Sequence, residues 1–265
     1  MYKTKDMDAS IRAILDRHII DVQSLIYRNI AGGSLEIMPH WVRGFSGLQL
    51  PVFNTFLPRD LAGLSDDTLA DTAAFFSSRN TLYGVELIED FVPGGADYLN
   101  DCHYQSLPPE LALAISGQPN EVDRNAEVMI EKVDTVPSLT AFCTLMHLVF
   151  DFPLRDIVKL YSVSHLKDDR IGLYLAFLDE QPVSAGALLR TNGAASITNL
   201  VTIDDYRGRG VATTLTYRML ADARELDCDQ VMVYSTAQGF SLFHRLGFEI
   251  FSQRQWFLPP GLDYE

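Results

Sequence analysis

The sequence is poor in the residues that mark several common protein classes. It has three cysteines, widely spaced and without metal-ligand spacing, and we interpret them as small hydrophobic residues of a protein in a reducing compartment. Only 21 lysines and arginines stand against 35 acidic residues, a net charge of −14, which argues against a nucleic-acid partner. No apolar run reaches membrane-spanning length and the N-terminus lacks a signal-peptide pattern, so we expect a cytoplasmic protein without a membrane partner.

Two kinds of catalytic motif are also missing from the sequence. It contains no His-Glu-x-x-His, and its six histidines are scattered, so we expect no metal site. The stretch Gly44-Phe45-Ser46-Gly47 is not a nucleophile elbow, because Leu48 stands where a glycine is required.

The most informative stretch is a β-branched run, a glycine-rich turn and an amphipathic helix in succession. Residues 197–203 suit a buried strand, and from residue 211 to residue 226 the apolar side chains recur at helical spacing. Between them lies the glycine turn, residues 207–213, which places two glycines where the helix begins. A helix N-terminus has unpaired N–H groups and a positive dipole end, so this turn is suited to bind a phosphate group.

The glycine turn lacks what the two commonest phosphate-binding motifs require. A P-loop needs Lys and then Ser or Thr after its second glycine, whereas Val211 and Ala212 follow Gly210. The dinucleotide fingerprint needs a third glycine, and Thr213 occupies that position. Neither motif is therefore present.

The turn resembles motif A of the GNAT superfamily of acyl-CoA-dependent N-acyltransferases, in which Arg or Gln is followed by two residues, Gly, one residue, and Gly or Ala. Arg207, Gly210 and Ala212 fit this pattern, and residues 239–248 resemble motif B, a short helix that ends in Leu-Gly-Phe. The resemblance implies acetyl-CoA as co-substrate. It also implies a cofactor-binding set in two parts, with the pantetheine beside the central strand and the pyrophosphate on the amides of the turn: Leu200, Val201, Thr202, Ile203, Arg207, Gly208, Arg209, Gly210, Val211, Ala212 and Thr213. The turn and its helix carry three arginines and no acid between residues 206 and 218, a basic island in an acidic chain.

The resemblance leaves the catalytic groups open. The family's usual tyrosine of motif B is replaced by Phe243, which we include in the cofactor-binding set. Tyr234 and His244 are the candidate substitute acids for the leaving thiolate, although both also suit structural positions. A lysine-like amine is mostly protonated at neutral pH, so a base or a water path should help, and Asn199 on the central strand could orient that water.

The chain also contains two similar successions of elements. A long strand over residues 48–57, then helix, strand, short helix and strand, repeat the order found after residue 197. We therefore predict the α/β (α+β) fold class, a GNAT-like mixed central sheet flanked by helices, in two tandem domains: a degenerate N-terminal domain (1–120) and an acetyl-CoA-binding domain (121–265). In the first domain residues 58–63 stand where the glycine turn would be, without paired glycines. Strand–helix alternation is common, so a chance match remains the alternative.

These observations predict a GNAT-type N-acetyltransferase that transfers the acetyl group of acetyl-CoA to a primary amine of a small molecule or peptide. The expected protein is a monomer or homodimer that uses no metal. The alternative is a catalytically impaired acyl-CoA-binding sensor or structural protein, for which the loss of the motif B tyrosine at Phe243 is the motive.

Overall fold

The computed structural model describes residues 8–261, which form seven α-helices and twelve β-strands. The helices are α1 (Ala9–Asn29), α2 (Asp66–Ser77), α3 (Gly95–Asp101), α4 (Val136–Phe150), α5 (Leu154–Leu160), α6 (Val211–Glu225) and α7 (Phe240–Arg245). The strands are β1 (Ser34–Ile37), β2 (Trp41–Phe45), β3 (Thr55–Pro58), β4 (Gly84–Ile88), β5 (Gln105–Ser106), β6 (Glu110–Ser116), β7 (Met129–Lys132), β8 (Ile171–Leu178), β9 (Gln181–Thr191), β10 (Ala194–Thr202), β11 (Gln230–Ser235) and β12 (Glu249–Leu258).

All twelve strands belong to one mixed sheet with the order β1-β2-β3-β4-β12-β6-β11-β10-β9-β8-β7, and β5 pairs with β12. Two neighbouring pairs are parallel, β3 with β4 and β10 with β11. Each parallel pair is joined by a helix, α2 or α6, as a parallel connection requires.

The two ends of the sheet are built alike. Strands β1, β2 and β3 form an antiparallel meander, followed by α2, the parallel strand β4, the short helix α3 and a final strand, β6. Strands β8, β9 and β10 form a second meander, followed by α6, β11, α7 and the final strand β12. This repetition is the succession that the sequence indicates.

The final strands of the two halves are exchanged. β6 lies between β11 and β12, and β12 in turn borders β4, so each half closes against the last strand of the other. The predicted boundary at residue 120 therefore lies in a connecting segment (residues 117–128) between two strands of one continuous sheet. The division into domains 1–120 and 121–265 stays a prediction.

Helices cover both faces of the sheet. α6 and α7 pack on one face through Leu215, Met219 and Phe243, and α2 and α3 cover the same face of the other half. On the opposite face, α4 and α5 cover β8 to β10, and α1 crosses the junction between the halves to reach β11. α1 buries one apolar stripe, as an amphipathic helix does. Ser65 is the N-cap of α2, and its side chain accepts a hydrogen bond from Thr68 N–H.

The predicted strand over residues 48–57 is wrong for most of its length. β2 continues to Phe45, the segment Pro51–Phe53 is a 3₁₀ turn, and only Thr55–Pro58 is a strand. The buried side chain of Asn54 holds this loop by accepting from Ser46 N–H (2.9 Å) and donating to the carbonyl of Leu48 (2.7 Å). These side-chain bonds replace the ladder bonds of a strand.

Candidate functional site

The parallel strands β10 and β11 separate where β10 carries a bulge. Their paired residues run from Ala194 with Gln230 to Ile197 with Val233. Beyond that point the register of β10 against β9 shifts between Thr198 and Val201, and Asn199 adopts a positive φ of 51°. A bulge bends its strand, and here β10 remains on β9 but has no further pairs with β11. The result is a slot between the carboxyl ends of two parallel strands.

The glycine turn lies at the end of this slot. Gly208 and Gly210 have φ values of 72° and 77°, and Gly210 is the N-cap of α6. Within residues 8–261, the amide groups of residues 208–213 donate to no protein acceptor, and Thr214 is the first of α6 to do so, to the carbonyl of Gly210 (3.0 Å). The first turn of α6 also contains no acid. Six successive free amides at a helix N-terminus have the geometry that suits an anion.

Two arginines flank the turn, and a third does not belong to it. Arg207 pairs with Asp204 (2.8 Å), and Arg209 lies 3.5 Å from Asp179 in the β8–β9 hairpin. Arg218, by contrast, pairs with buried Asp222 (2.8 Å) on the side of α6 that packs on the sheet edge. The predicted basic island is therefore smaller than the sequence indicates. Arg207 and Arg209 are partly exposed, and their surface ion pairs can be exchanged for an anion at little free-energy cost.

The connecting segment forms one side of the turn. The side-chain amide of Asn125 donates to the carbonyl of Arg209 (2.9 Å), and its main-chain N–H reaches Thr214 Oγ1 (3.2 Å). Further along, the hydroxyl of Tyr217 accepts from Val122 N–H (3.1 Å). These contacts hold residues 120–125 against α6.

A cleft of about 2340 Å³ extends from the glycine turn along the slot to the face of the sheet covered by α1, α4 and α5. It contains most of the predicted cofactor-binding residues: Leu200, Val201, Thr202, Arg207, Gly208, Arg209, Gly210, Val211, Ala212, Thr213 and Phe243. Ile203 does not line the cleft and instead packs against the core beneath α4. Phe243 is buried, and its ring meets that of Phe248 edge to face (5.3 Å).

Two of the three predicted catalytic residues line the cleft. The Tyr234 hydroxyl is buried and has no hydrogen-bond partner in the described part of the chain, while the guanidinium of Arg254 lies 3.7 Å from its ring centroid. Burial raises the pKa of this phenol, so it is protonated at neutral pH. Asn199 donates from its side-chain nitrogen to the hydroxyl of Tyr161. His244 is exposed on α7 against the ring of Phe240 (5.3 Å) and is not brought to the cleft.

A charge cluster (Glu86, Glu110 and Arg254) lies on the α1 side of the sheet and lines the same cleft. Arg254 donates from Nε (2.8 Å) and Nη2 (2.5 Å) to Glu110 and from Nη1 to Glu86 (3.2 Å). The three residues stand on β4, β6 and β12, which are neighbours only because the final strands are exchanged. Sequence reasoning missed them, since no local spacing relates positions so far apart in the chain.

The N-terminal half has no free anion-binding turn at the matching place. There the carboxylate of Asp60 accepts from Gly63 N–H (3.0 Å) and pairs with His40 (2.8 Å). Ser65 caps the following helix, α2. A carboxylate of the chain itself thus occupies the position that a phosphate would take.

The described residues offer neither a metal centre nor a membrane span. Among residues 8–261, no three His, Cys, Asp or Glu side chains are grouped so that they could hold a metal ion. None of the helices in that range combines the length and the apolar character needed to cross a bilayer.

Comparison with known proteins agrees with this geometry. The sequence model of the family described as "Acetyltransferase (GNAT) domain" matches residues 159–257, which span the slot, the glycine turn and α7. No curated protein matches the chain.

Solved structures share the fold over nearly the whole chain. A GCN5-related N-acetyltransferase from Kribbella flavida has a TM-score of 0.76 at 15% identity, with 97% of each chain covered. A second, from Sphaerobacter thermophilus, has a TM-score of 0.63 at 14% identity and covers 87% of this chain and 84% of its own. A tandem GNAT protein from the clavulanic acid biosynthesis pathway has a TM-score of 0.59 at 12% identity, covering 92% of this chain and 89% of its own.

The predicted fold class, a mixed α/β sheet flanked by helices, is confirmed by these neighbours and by the sheet itself. Motif A and motif B both fall within the matched segment. The chain thus has the fold of the GNAT N-acetyltransferases, and its residues 159–257 match the GNAT acetyltransferase domain model.

Proposed function

We propose that this protein transfers the acetyl group of acetyl-CoA to a primary amine of a small molecule or peptide by direct attack. The observation that carries the proposal is the junction of two features: six free amides in residues 208–213 and the slot that opens beside them at Asn199. The free amides suit the pyrophosphate of the donor, and the slot suits its extended pantetheine arm.

The donor's phosphates would be bound by the amides of the glycine turn. Arg207 and Arg209 lie beside them and would leave Asp204 and Asp179 for the pyrophosphate. Residues 200–202 of β10 line the slot, where β10 has no pairs with β11, so main-chain groups there would meet the amides of the pantetheine. The carbonyl of Thr202 now accepts from Arg207 Nε (3.2 Å), a bond that Arg207 would give up on turning to the pyrophosphate. This placement brings the thioester to the residues at the inner end of the slot, Asn199 and Tyr234.

The transfer needs one bond made, one bond broken and one proton moved. The amine nitrogen attacks the thioester carbon, the new C–N bond forms, and the C–S bond breaks with its electron pair on sulfur. Tyr234 is suited to give the thiolate a proton, because its buried hydroxyl is protonated at neutral pH and has no protein partner. Asn199 uses its side-chain nitrogen on Tyr161, which leaves its side-chain oxygen to hold a water that accepts the amine proton. Passed on through water, this proton restores the hydroxyl of Tyr234, so that one proton moves overall from nitrogen to sulfur.

The test is release of free CoA thiol from acetyl-CoA in the presence of a panel of primary amines. The expected result is amine-dependent thiol release together with a product heavier by one acetyl group. Thiol release without an acetylated amine, or no release with any amine, would contradict the proposal.

The second candidate is an acyl-CoA-binding sensor or structural protein. It is favoured by Phe243, which has no hydroxyl to offer the thiolate, and by the position of Tyr234 beneath Arg254. Titration calorimetry separates the two: binding of acetyl-CoA without turnover supports the sensor, and no binding removes both.

The degenerate character of the N-terminal half is part of the same proposal. Its turn is already capped by Asp60, so we expect one acetyl-CoA per chain. A stoichiometry of two in the same titration would contradict this.

A further inference from the structure

At the inner end of the cleft one guanidinium is shared between two carboxyl groups. In the charge cluster one guanidinium, Arg254, faces two carboxylates, Glu86 and Glu110. Both oxygens of Glu86 are taken, one by Arg254 and the other by the side-chain amide of Gln23 (2.8 Å). Glu86 therefore has no oxygen left for a ligand, and burial raises its pKa while the charge of Arg254 opposes that shift.

One oxygen of Glu110 is left over. Both hydrogen bonds from Arg254 go to Oε2, and Oε1 has no hydrogen-bond partner among residues 8–261. Glu110 is 22% exposed in its side chain and lines the cleft, so Oε1 is accessible to a ligand there. A free carboxylate oxygen accepts hydrogen bonds and favours a donor with positive charge.

A second, independent feature points to a ligand at the same place. The hydroxyl of Tyr234 is fully buried and unpartnered in the described chain, although a buried hydroxyl normally finds a partner. Its ring lies against Arg254, and the charges of Glu86 and Glu110 both act on it. Tyr234 and Glu110 thus offer two unfilled hydrogen-bonding atoms at one end of one cleft.

The arginines around this end leave no place for an anionic group. Nε, Nη1 and Nη2 of Arg254 all donate to carboxylates. Arg207 and Arg209 lie at the opposite end, beside the glycine turn. A carboxylate on the acceptor would meet Glu86 and Glu110, and Arg254, the cation beside them, is already paired with both.

The neighbouring surface is apolar and aromatic. The ring of Trp256 lies 5.7 Å from the guanidinium of Arg254, and the rings of Phe53 and Phe152 meet edge to face (5.9 Å) along the same cleft. These rings suit the hydrocarbon part of an amine.

We propose that the acceptor is a cationic amine without a carboxylate or phosphate group, whose ammonium N–H is bound by Oε1 of Glu110 beside the hydroxyl of Tyr234. This inference rests on the proposed function, because it names the acceptor class of the same cleft. It predicts discrimination between amines that differ only by a carboxylate.

The probes are two matched pairs, cadaverine with lysine and tyramine with tyrosine, in which the second member adds only a carboxylate. For the full chain, kcat/KM with acetyl-CoA should be at least about tenfold higher for the decarboxylated member of a pair. Glu110→Gln should reduce this preference severalfold while leaving the Kd for acetyl-CoA unchanged. Asp101→Asn removes the same charge at an exposed residue of α3, outside the cleft, and should preserve the preference.

Calorimetry of the four probes with the CoA-loaded chain keeps this proposal separate from the proposed function. Selective binding of cadaverine or tyramine without turnover supports the acceptor class and counts against the transferase. Turnover at equal rates within both pairs supports the transferase and overturns the acceptor class, as does failure of all four probes to bind. If Glu110→Gln does not fold, Tyr234→Phe gives the second test, since loss of its hydroxyl should weaken binding of the cationic member severalfold.

Discussion

The side-chain amide of Asn125 donates a hydrogen bond of 2.9 Å to the main-chain carbonyl of Arg209. This bond joins the connecting segment to the glycine turn, the part of the chain that we assign to the donor's phosphates. The turn is therefore held in place by a residue outside the helix and strand that it connects.

Removal of this bond should weaken donor binding. In Asn125→Ala the carbonyl of Arg209 loses its partner, and the amides of the turn are less well fixed before the ligand arrives. A hydrogen bond of this kind contributes about 1 kcal/mol, so the Kd for acetyl-CoA should rise about fivefold. Glu127→Ala, an exposed change two residues away, is the control, and equal affinities of the two variants would contradict the role given to Asn125.

Gly210→Ala should weaken the donor site. Gly210 has a φ of 77°, and a Cβ there would lie 3.3 Å from Cβ of Asn125. Gly193→Ala is the matched control, because its φ is 79° and its Cβ would meet no atom within 4 Å. Both changes should destabilise the fold by about 1 kcal/mol, but only Gly210→Ala should raise the Kd for acetyl-CoA at least about tenfold. Similar Kd values in calorimetry would refute the placement of the phosphates.

Tyr234→Phe separates catalysis from folding. Its hydroxyl has no partner in the described chain, so its removal should leave the free energy of unfolding unchanged or raise it by up to about 1 kcal/mol. Loss of a general acid should lower kcat about a hundredfold while the Kd for acetyl-CoA stays constant. Tyr98→Phe, on α3 and outside the cleft, should leave kcat unchanged. An unaltered kcat in Tyr234→Phe would exclude it as the proton donor.

His18 should make stability depend on pH. It is 1% exposed, its ring nitrogens lie 2.6 Å from the hydroxyls of Thr191 and Ser196, and burial lowers its pKa to about 3. In the unfolded chain the pKa of a histidine is near 6.5. Between that pH and about 3 the unfolded chain therefore binds a proton at His18 and the folded chain does not. This stabilisation is complete above about pH 6.5 and is lost at about 1.4 kcal/mol per unit as the pH falls towards 3.

The measurement is urea unfolding of the wild type and of His18→Gln. Between about pH 7 and about pH 5 the wild type should lose about 2 kcal/mol more than the variant. The difference between the two proteins removes the contribution of the carboxylates, which titrate in both. Equal losses of unfolding free energy in the two proteins would show that His18 has the same pKa in the folded and unfolded states, which would contradict the prediction.

The local elements of the C-terminal half could be predicted from the sequence because short-range rules determine them. Helix α6 follows its apolar spacing, and the strand after it and the short helix α7 lie where the pattern of residues 230–248 indicates. In the N-terminal half the strand predicted over residues 48–54 is absent from the structure. Hydrogen bonds from one buried side chain, Asn54, fix the backbone conformation there, and no local pattern predicts them.

The acceptor end of the cleft could not be predicted, since it depends on the order of the strands. Glu86, Glu110 and Arg254 meet only because β6 and β12 change places between the halves. For His244 the sequence leaves two positions open, a candidate acid and a structural position on the short helix, and the residue is exposed on α7.

The central claim is that one donor site, at the start of α6, serves the whole chain. A crystal structure of the protein with acetyl-CoA tests this most directly. We predict one ligand per chain, with pyrophosphate oxygens about 3 Å from the amide nitrogens of residues 208–213 and the thioester between Asn199 and Tyr234. Phosphates bound at residues 58–63 of the N-terminal half, or anywhere away from the glycine turn, would contradict it.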